Sequence, residues 1–334
     1  MDFSASVYNI ALDVTACINI PLKLFTIIII IKYTPKDQRV HSHFILNTMT
    51  WNFFANLLCS ICHFYPVFPI SCYRSYGVTN YFIDSETFGQ VVFAALFLSV
   101  LNCGLAMLLP FPFRYIIFAY PKFAAVTKPL WVYAFCGTLH VIFSVPYLIL
   151  LLQWLYSYDD YAKIAPLPDR KFMYCLHPTG WAKETSIIIT VVAALTGIVF
   201  IVLFTLLLYR NIRSSQGTIN EQSLDVHRKV LRRLVILTTI PLLFAIVPFV
   251  FLLVAMWNPE EEYSKTAFLL ATLVGSNYGN LYAIICLIVF KSYRDGVKTV
   301  VLRILRRTKA VDSTVKVALF RRIGQLHLTS GGQK

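Results

Sequence analysis

Residues Thr185–Leu208 read TSIIITVVAALTGIVFIVLFTLLL, 24 residues without a charge. A helix needs about 20 predominantly apolar residues to cross ~30 Å of hydrocarbon, and this run is apolar around its whole circumference. Six further stretches meet the same standard: Val7–Ile31, Phe44–Pro66, Phe88–Pro110, Leu130–Leu152, Leu234–Trp257 and Thr266–Phe290. The composition agrees. Of 334 residues, 57% are apolar and only 14% charged, and the mean hydropathy is +0.66, whereas soluble domains carry roughly 25% charged residues. With 26 Phe and 19 Tyr the chain is also far from a disordered composition. The reading is an all-α membrane protein, a seven-transmembrane helix bundle.

The first span contains Asp13 and Lys23. Between Val14 and Ile31 eleven Val, Ile, Leu and Phe residues favour insertion by about 3–7 kcal/mol, against about 3 kcal/mol for a central lysine, so the span still inserts. Of the thirty Lys and Arg, 23 fall in the segments after spans 1, 3, 5 and 7, and 6 in the opposite segments. The positive-inside rule then places the N-terminus outside and the C-terminus in the cytoplasm. The net charge of +14 is read the same way, with no nucleic-acid partner. Residues 1–6 form a short extracellular N-terminus, 7–290 the membrane domain and 291–334 a basic cytoplasmic tail. MDFSASVYN lacks a positive n-region and a small-residue cleavage site, so no cleavable signal peptide is expected.

Several segments are candidates for mechanism. Span 3 ends in Pro110-Phe-Pro-Phe-Arg114-Tyr115 at the predicted cytoplasmic mouth, where Arg114 and Tyr115 are either G-protein contacts or an interfacial anchor. Arg228, Lys229, Arg232 and Arg233 share one broad helix face before span 6, suited to an acidic partner surface or to anionic headgroups. After span 7, Val297, Val300, Val301, Ile304 and Leu305 recur at three- and four-residue spacing among cations, which predicts a short amphipathic helix in the inner interface. Lys23, Asn102 and His140 are polar groups at membrane depth, functional candidates by position; the plainer reading has Lys23 satisfied by Asn47, Asn52 or Asn56. Asp13 is expected near the outer interface. Gly275-Ser-Asn-Tyr-Gly279 is a small-xxx-small packing element. Pro241 and Pro248 interrupt span 6 and mark it as a switch helix. Cys72 and Cys175 both fall in predicted outer loops, where a disulfide persists; on sequence alone they are either bonded or free. No zinc-binding, nucleotide-binding or hydrolase motif occurs, so neither an enzyme nor a cofactor or metal is expected.

Taken in order, these matches resemble the nematode serpentine chemoreceptors of the Str-related superfamily, most closely class H. Carrying the resemblance are Ile20-Pro21 with Tyr33-Thr34-Pro35, Leu46-Asn47 with Trp51, Phe113-Arg114-Tyr115, Tyr174-Cys175, Ile240-Pro241 with Pro248, Tyr278-Gly279, and Tyr293-Arg294. Three positions depart from the pattern: Lys23 and Tyr278 stand where His is usual, and Phe113 replaces a polar residue. The resemblance implies a G-protein-coupled-type chemosensory receptor of the plasma membrane, in sensory cilia. It would join a small odorant-like ligand, bound among spans 3, 5, 6 and 7, to a heterotrimeric G protein, with membrane lipid around it. The alternative is a transporter or channel lined by Lys23, Asn102 and His140.

Overall fold

The computed structural model describes residues 3–35, 38–78, 85–120, 129–167, 170–214, 221–303 and 305. The tail from 306 onward, and Lys122 and Lys128 of the second predicted inner segment, lie outside the described residues. In chain order the elements are α1 (Phe3–Tyr33), α2 (Arg39–Cys62), β1 (Phe64–Pro66), β2 (Cys72–Ser75), α3 (Glu86–Leu108), α4 (Pro110–Ala119), α5 (Pro129–Trp154), β3 (Leu155–Tyr156), α6 (Tyr158–Tyr161), β4 (Met173–Leu176), α7 (Trp181–Ser214), α8 (Glu221–Trp257) and α9 (Glu262–Val289), followed by a helix over 291–303, α10.

Among the described residues six helices are long and apolar enough to cross a bilayer: α1, α3 together with α4, α5, α7, α8 and α9. The seventh, α2, is more polar. Its Ser42, Thr48, Asn52 and Asn56 are buried, and it packs against α1, α3 and α9. A polar helix is tolerated in lipid when its polar side faces protein.

The helices outrun the apolar stretches that announce them. The 34 residues of α7 and 37 of α8, at ~1.5 Å each, make rods of about 50 Å, longer than the hydrocarbon is thick. Their polar ends, such as Trp181–Glu184 and Arg210–Ser214, continue the helix into the interface. At the N-terminus α1 begins at Phe3, and Ala5, Tyr8 and Leu12 pack there against Tyr65. The second helix stops at Cys62 rather than Pro66, because His63 takes a left-handed backbone (φ 45°) and turns the chain into β1. The third does not stop at Pro110. Leu109 stays helical at φ −57° and Pro110 opens α4, since proline is preorganised for a first helical turn. Residues 111–119 are therefore helix, not loop.

The fold is mostly helical, as expected. One end of the bundle carries a four-stranded antiparallel sheet in the order β1-β2-β4-β3. Cys72 lies directly opposite Cys175 and the two are joined by a disulfide. Beneath the sheet Tyr73, Tyr174, Phe93, Trp154 and Phe268 form the largest core cluster, with the Tyr73 and Tyr174 rings stacked at 5.7 Å. Burial pushes both phenols above their usual range. Gly89 admits this packing: a Cβ there would stand 2.6 Å from the Tyr174 ring. A second cluster, with Ile29, Ile45, Met49, Tyr282 and Tyr293, joins α1, α2, α9 and α10 at the other end.

Candidate functional site

At the end opposite the sheet, Arg114 and Tyr115 lie on α4, both half-buried. Arg114 interacts electrostatically with His41 in the first turn of α2, and the adjacent Phe113 ring meets Phe44 at 5.0 Å. Tyr115 packs edge-on to Phe204 of α7 at 5.8 Å and borders a cluster of Phe118, Leu208, Ile212 and Leu231. Leu231 sits inside the basic stretch of α8, so Tyr115 and that stretch share one neighbourhood. Arg228, Lys229 and Arg232 are exposed and Arg233 is half-buried. Lys229 is drawn aside by Asp225 at 2.6 Å, one turn away. The same end carries α10, which docks through Tyr293 and Val297; Tyr293 Oη and Thr34 Oγ1 are 3.1 Å apart. Arg294 donates to the Ile288 carbonyl at 3.1 Å, a cation where the end of α9 presents unpaired carbonyls. Val301, Leu302 and Leu305 remain exposed, giving α10 one apolar face on the bundle and a second one free.

Inside the bundle the polar candidates separate into two groups. His140 of α5 lies between Asn102 of α3, with Nδ1 2.5 Å from Oδ1, and Asn47 of α2, with Nε2 3.0 Å from Nδ2. Asn102 Nδ2 donates to Ser144 Oγ and to the Leu98 carbonyl, both at 2.8 Å. The network is satisfied with the His140 proton on Nδ1 and cross-braces α2, α3 and α5. Lys23 is different. It is 0% exposed and its Nζ has no hydrogen-bond partner among the described residues. The expected satisfaction by α2 does not occur: Asn47 is taken by His140, and Asn56 donates to the Ser276 carbonyl at 2.8 Å. The Gly275–Gly279 element works at one position only. Gly275 faces open space, whereas a Cβ on Gly279 would overlap the Asn52 amide.

At the sheet end His63 Nε2 lies 3.5 Å from Asp13 Oδ1, the imidazole buried and the carboxylate 63% exposed. Burial lowers the His63 pKa, with the Asp13 charge and a Ser60 backbone bond opposing it. Glu86 fastens the loop between α5 and α7, accepting from Tyr158 N at 2.7 Å and lying 3.7 Å from Arg170. A cavity of ≈ 510 Å³ lies between α3, α5 and α7, lined by Leu101, Phe143, Pro146, Tyr147 and Ile189, with Gln153 as its one amide. Sequence reasoning missed it; Pro146 was visible, but a groove needs three helices in register. Among the described residues no group of three or more His, Cys, Asp or Glu is placed to hold a metal.

This architecture is that of the seven-helix rhodopsin-like receptors. The crystal structure of squid rhodopsin superposes with a TM-score of 0.65 at 12% identity, covering 90% of this chain and 87% of that one. The chain belongs to the serpentine type 7TM GPCR chemoreceptor Srh family, whose profile matches residues 4–303. It is thus a multi-pass membrane chemosensory receptor of the G-protein-coupled type. No curated protein sequence matches it.

Proposed function

We propose that the receptor detects a small odorant-like molecule reaching it from outside the cell and signals to a heterotrimeric G protein at the end that carries Arg114. The observation that carries this reading is the gathering of Arg114, Tyr115 and the basic start of α8 at that end. The excess of Lys and Arg in the same segments supports a cytoplasmic position for it, and the Cys72–Cys175 bond suits an oxidising exterior at the other end. Residues 291–334 are then a cytoplasmic tail, with α10 in the inner interface and its exposed Val301, Leu302 and Leu305 against lipid. The receptor sits in the plasma membrane, in sensory cilia, and performs no catalysis.

The moving element in this reading is α8. Pro241 and Pro248 lie in its helical backbone and lack the N–H that would bond the preceding turn, which weakens the ladder locally. A ligand held among spans 3, 5, 6 and 7 drives the change only if it binds one helix arrangement better than the other. Transport through a polar lining gains no support from Asn102 and His140, whose hydrogen bonds go to each other and to neighbouring helices. The test is Arg114→Ala. Normal surface expression with at least a tenfold loss of G-protein activation is expected; full activation at normal expression removes Arg114 from the coupling machinery.

A further inference from the structure

Two polar layers stack between α1, α2 and α9, one helical turn apart. In the layer nearer the sheet the donors are all served by the chain. Asn19 and Asn56 each donate from Nδ2 to the Ser276 carbonyl, at 3.1 and 2.8 Å, and Asn280 donates to Asn19 Oδ1. The next layer uses the residue four positions on in α1, Lys23, and the residue four positions back in α2, Asn52, which lies against Gly279 of α9. Here the pattern breaks. Lys23 Nζ, at 0% exposure, and Asn280 Oδ1 have no hydrogen-bond partner among the described residues, and the buried Asn52 amide reaches only the Tyr278 phenol.

The electrostatic neighbours of Lys23 are the Cys59 and Cys103 thiols, and Cys103 Sγ is 2.7 Å from Tyr278 Oη. The helices around it bring no negative charge. There is no Asp or Glu in α2, none in α1 after Asp13, none in α3 after Glu86 and none in α9 after Glu262. Rotating the amides of Asn52 or Asn280 would give the ammonium hydrogen bonds, but amide oxygens cannot neutralise it. A buried cation without a counter-charge is strongly disfavoured in a medium of low dielectric constant. The site offers what an anion needs: one ammonium, the Asn52 Nδ2 proton not directed to Tyr278, and a hydroxyl–thiol pair, in a setting free of carboxylates.

We propose that Lys23 and Asn52 form a buried site for a small monovalent inorganic anion, chloride or a halide of similar size, held where α1, α2, α3 and α9 meet. The anion completes the second layer as the Ser276 carbonyl completes the first. It ties the first two helices of the bundle to the last, independently of ligand or G protein.

The test measures thermal unfolding of the purified full-length receptor in nanodiscs, with potassium chloride exchanged for potassium gluconate at constant ionic strength. A ligand bound only by the folded state raises Tm with the logarithm of its concentration, so chloride and bromide are expected to raise it by roughly 2–4 °C over gluconate. Lys23→Met, similar in length and uncharged, is expected to lose this dependence. Asn52→Asp places a carboxylate beside Lys23 and is expected to lose it too, with a higher Tm in gluconate than the wild type. Equal wild-type Tm values in the two salts would overturn the proposal, because Lys23 is then neutral or paired through water. A halide effect that survives in either variant would overturn it as well, by placing the ion elsewhere. Since Asn52→Asp keeps the size of the side chain, it decides the matter even if Lys23→Met does not fold.

Discussion

His63 shows how one residue type takes on different work by position. In the unfolded chain it titrates near pH ~6.5; in the fold, burial holds it below that value against the pull of Asp13. Above pH ~6.5 both states are neutral and the residue contributes nothing to the pH profile. As pH falls through the window below ~6.5, the unfolded chain takes up the proton first, so stability drops until the folded-state pKa is passed. Tm is expected to fall between pH 7 and 5, His63→Gln to flatten that fall, and Asp13→Asn to deepen it; a wild-type minus His63→Gln difference that ignores pH would contradict this. His140 is a purely structural contrast. His140→Leu strands Asn47 Nδ2 and Asn102 Oδ1, and interhelical hydrogen bonds in bilayers average about 0.6 kcal/mol with a maximum near 1.7. A loss of about 1–2 kcal/mol is expected for this pair, measurable as a coupling in double-mutant cycles with Asn102→Leu. From sequence, membrane depth and polarity flagged Lys23, Asn102 and His140 alike. Which of them find partners depends on side chains 38 to 93 residues away, and no local pattern carries that information.

Among the elements, the helices were legible and the sheet was not. An apolar run of 20 residues has few other solutions in water or lipid, so each of the seven spans announced itself. The strands are two to four residues long, and β1 and β4 are buried at every position, which erases the alternation that betrays a strand. Helix ends were misjudged where capping overrode composition, as at Pro110, which starts a turn, and His63, which ends one. The sheet makes two predictions. Cys72→Ser cuts a bond closing a separation of 103 residues and is expected to cost about 2–5 kcal/mol, seen as a lower Tm that reductant no longer changes. Gly89→Val drives a side chain into the Tyr174 ring and is expected to lower Tm and surface expression, whereas Gly104→Ala, which meets open space, leaves both near wild type.

The molecule as a whole reads as a bundle with two unlike ends, one closed by a disulfide-bonded sheet and the other ringed by cations. A tag on the N-terminus is expected to bind antibody on intact cells, and one on the C-terminus only after permeabilisation; the reverse pattern would invert every assignment of inside and outside. The sheet has a further consequence for how a stimulus gets in. Tyr73, Tyr174, Phe93 and Phe268 are nearly devoid of solvent contact, so a molecule diffusing down from water meets a shuttered aromatic roof. The groove between α3, α5 and α7 opens instead through the side wall of the bundle. A stimulus entering by this groove would reach spans 3 and 5 from the lipid: potency across a homologous series is then expected to track the octanol–water partition coefficient, and a permanently charged analogue is expected to be silent.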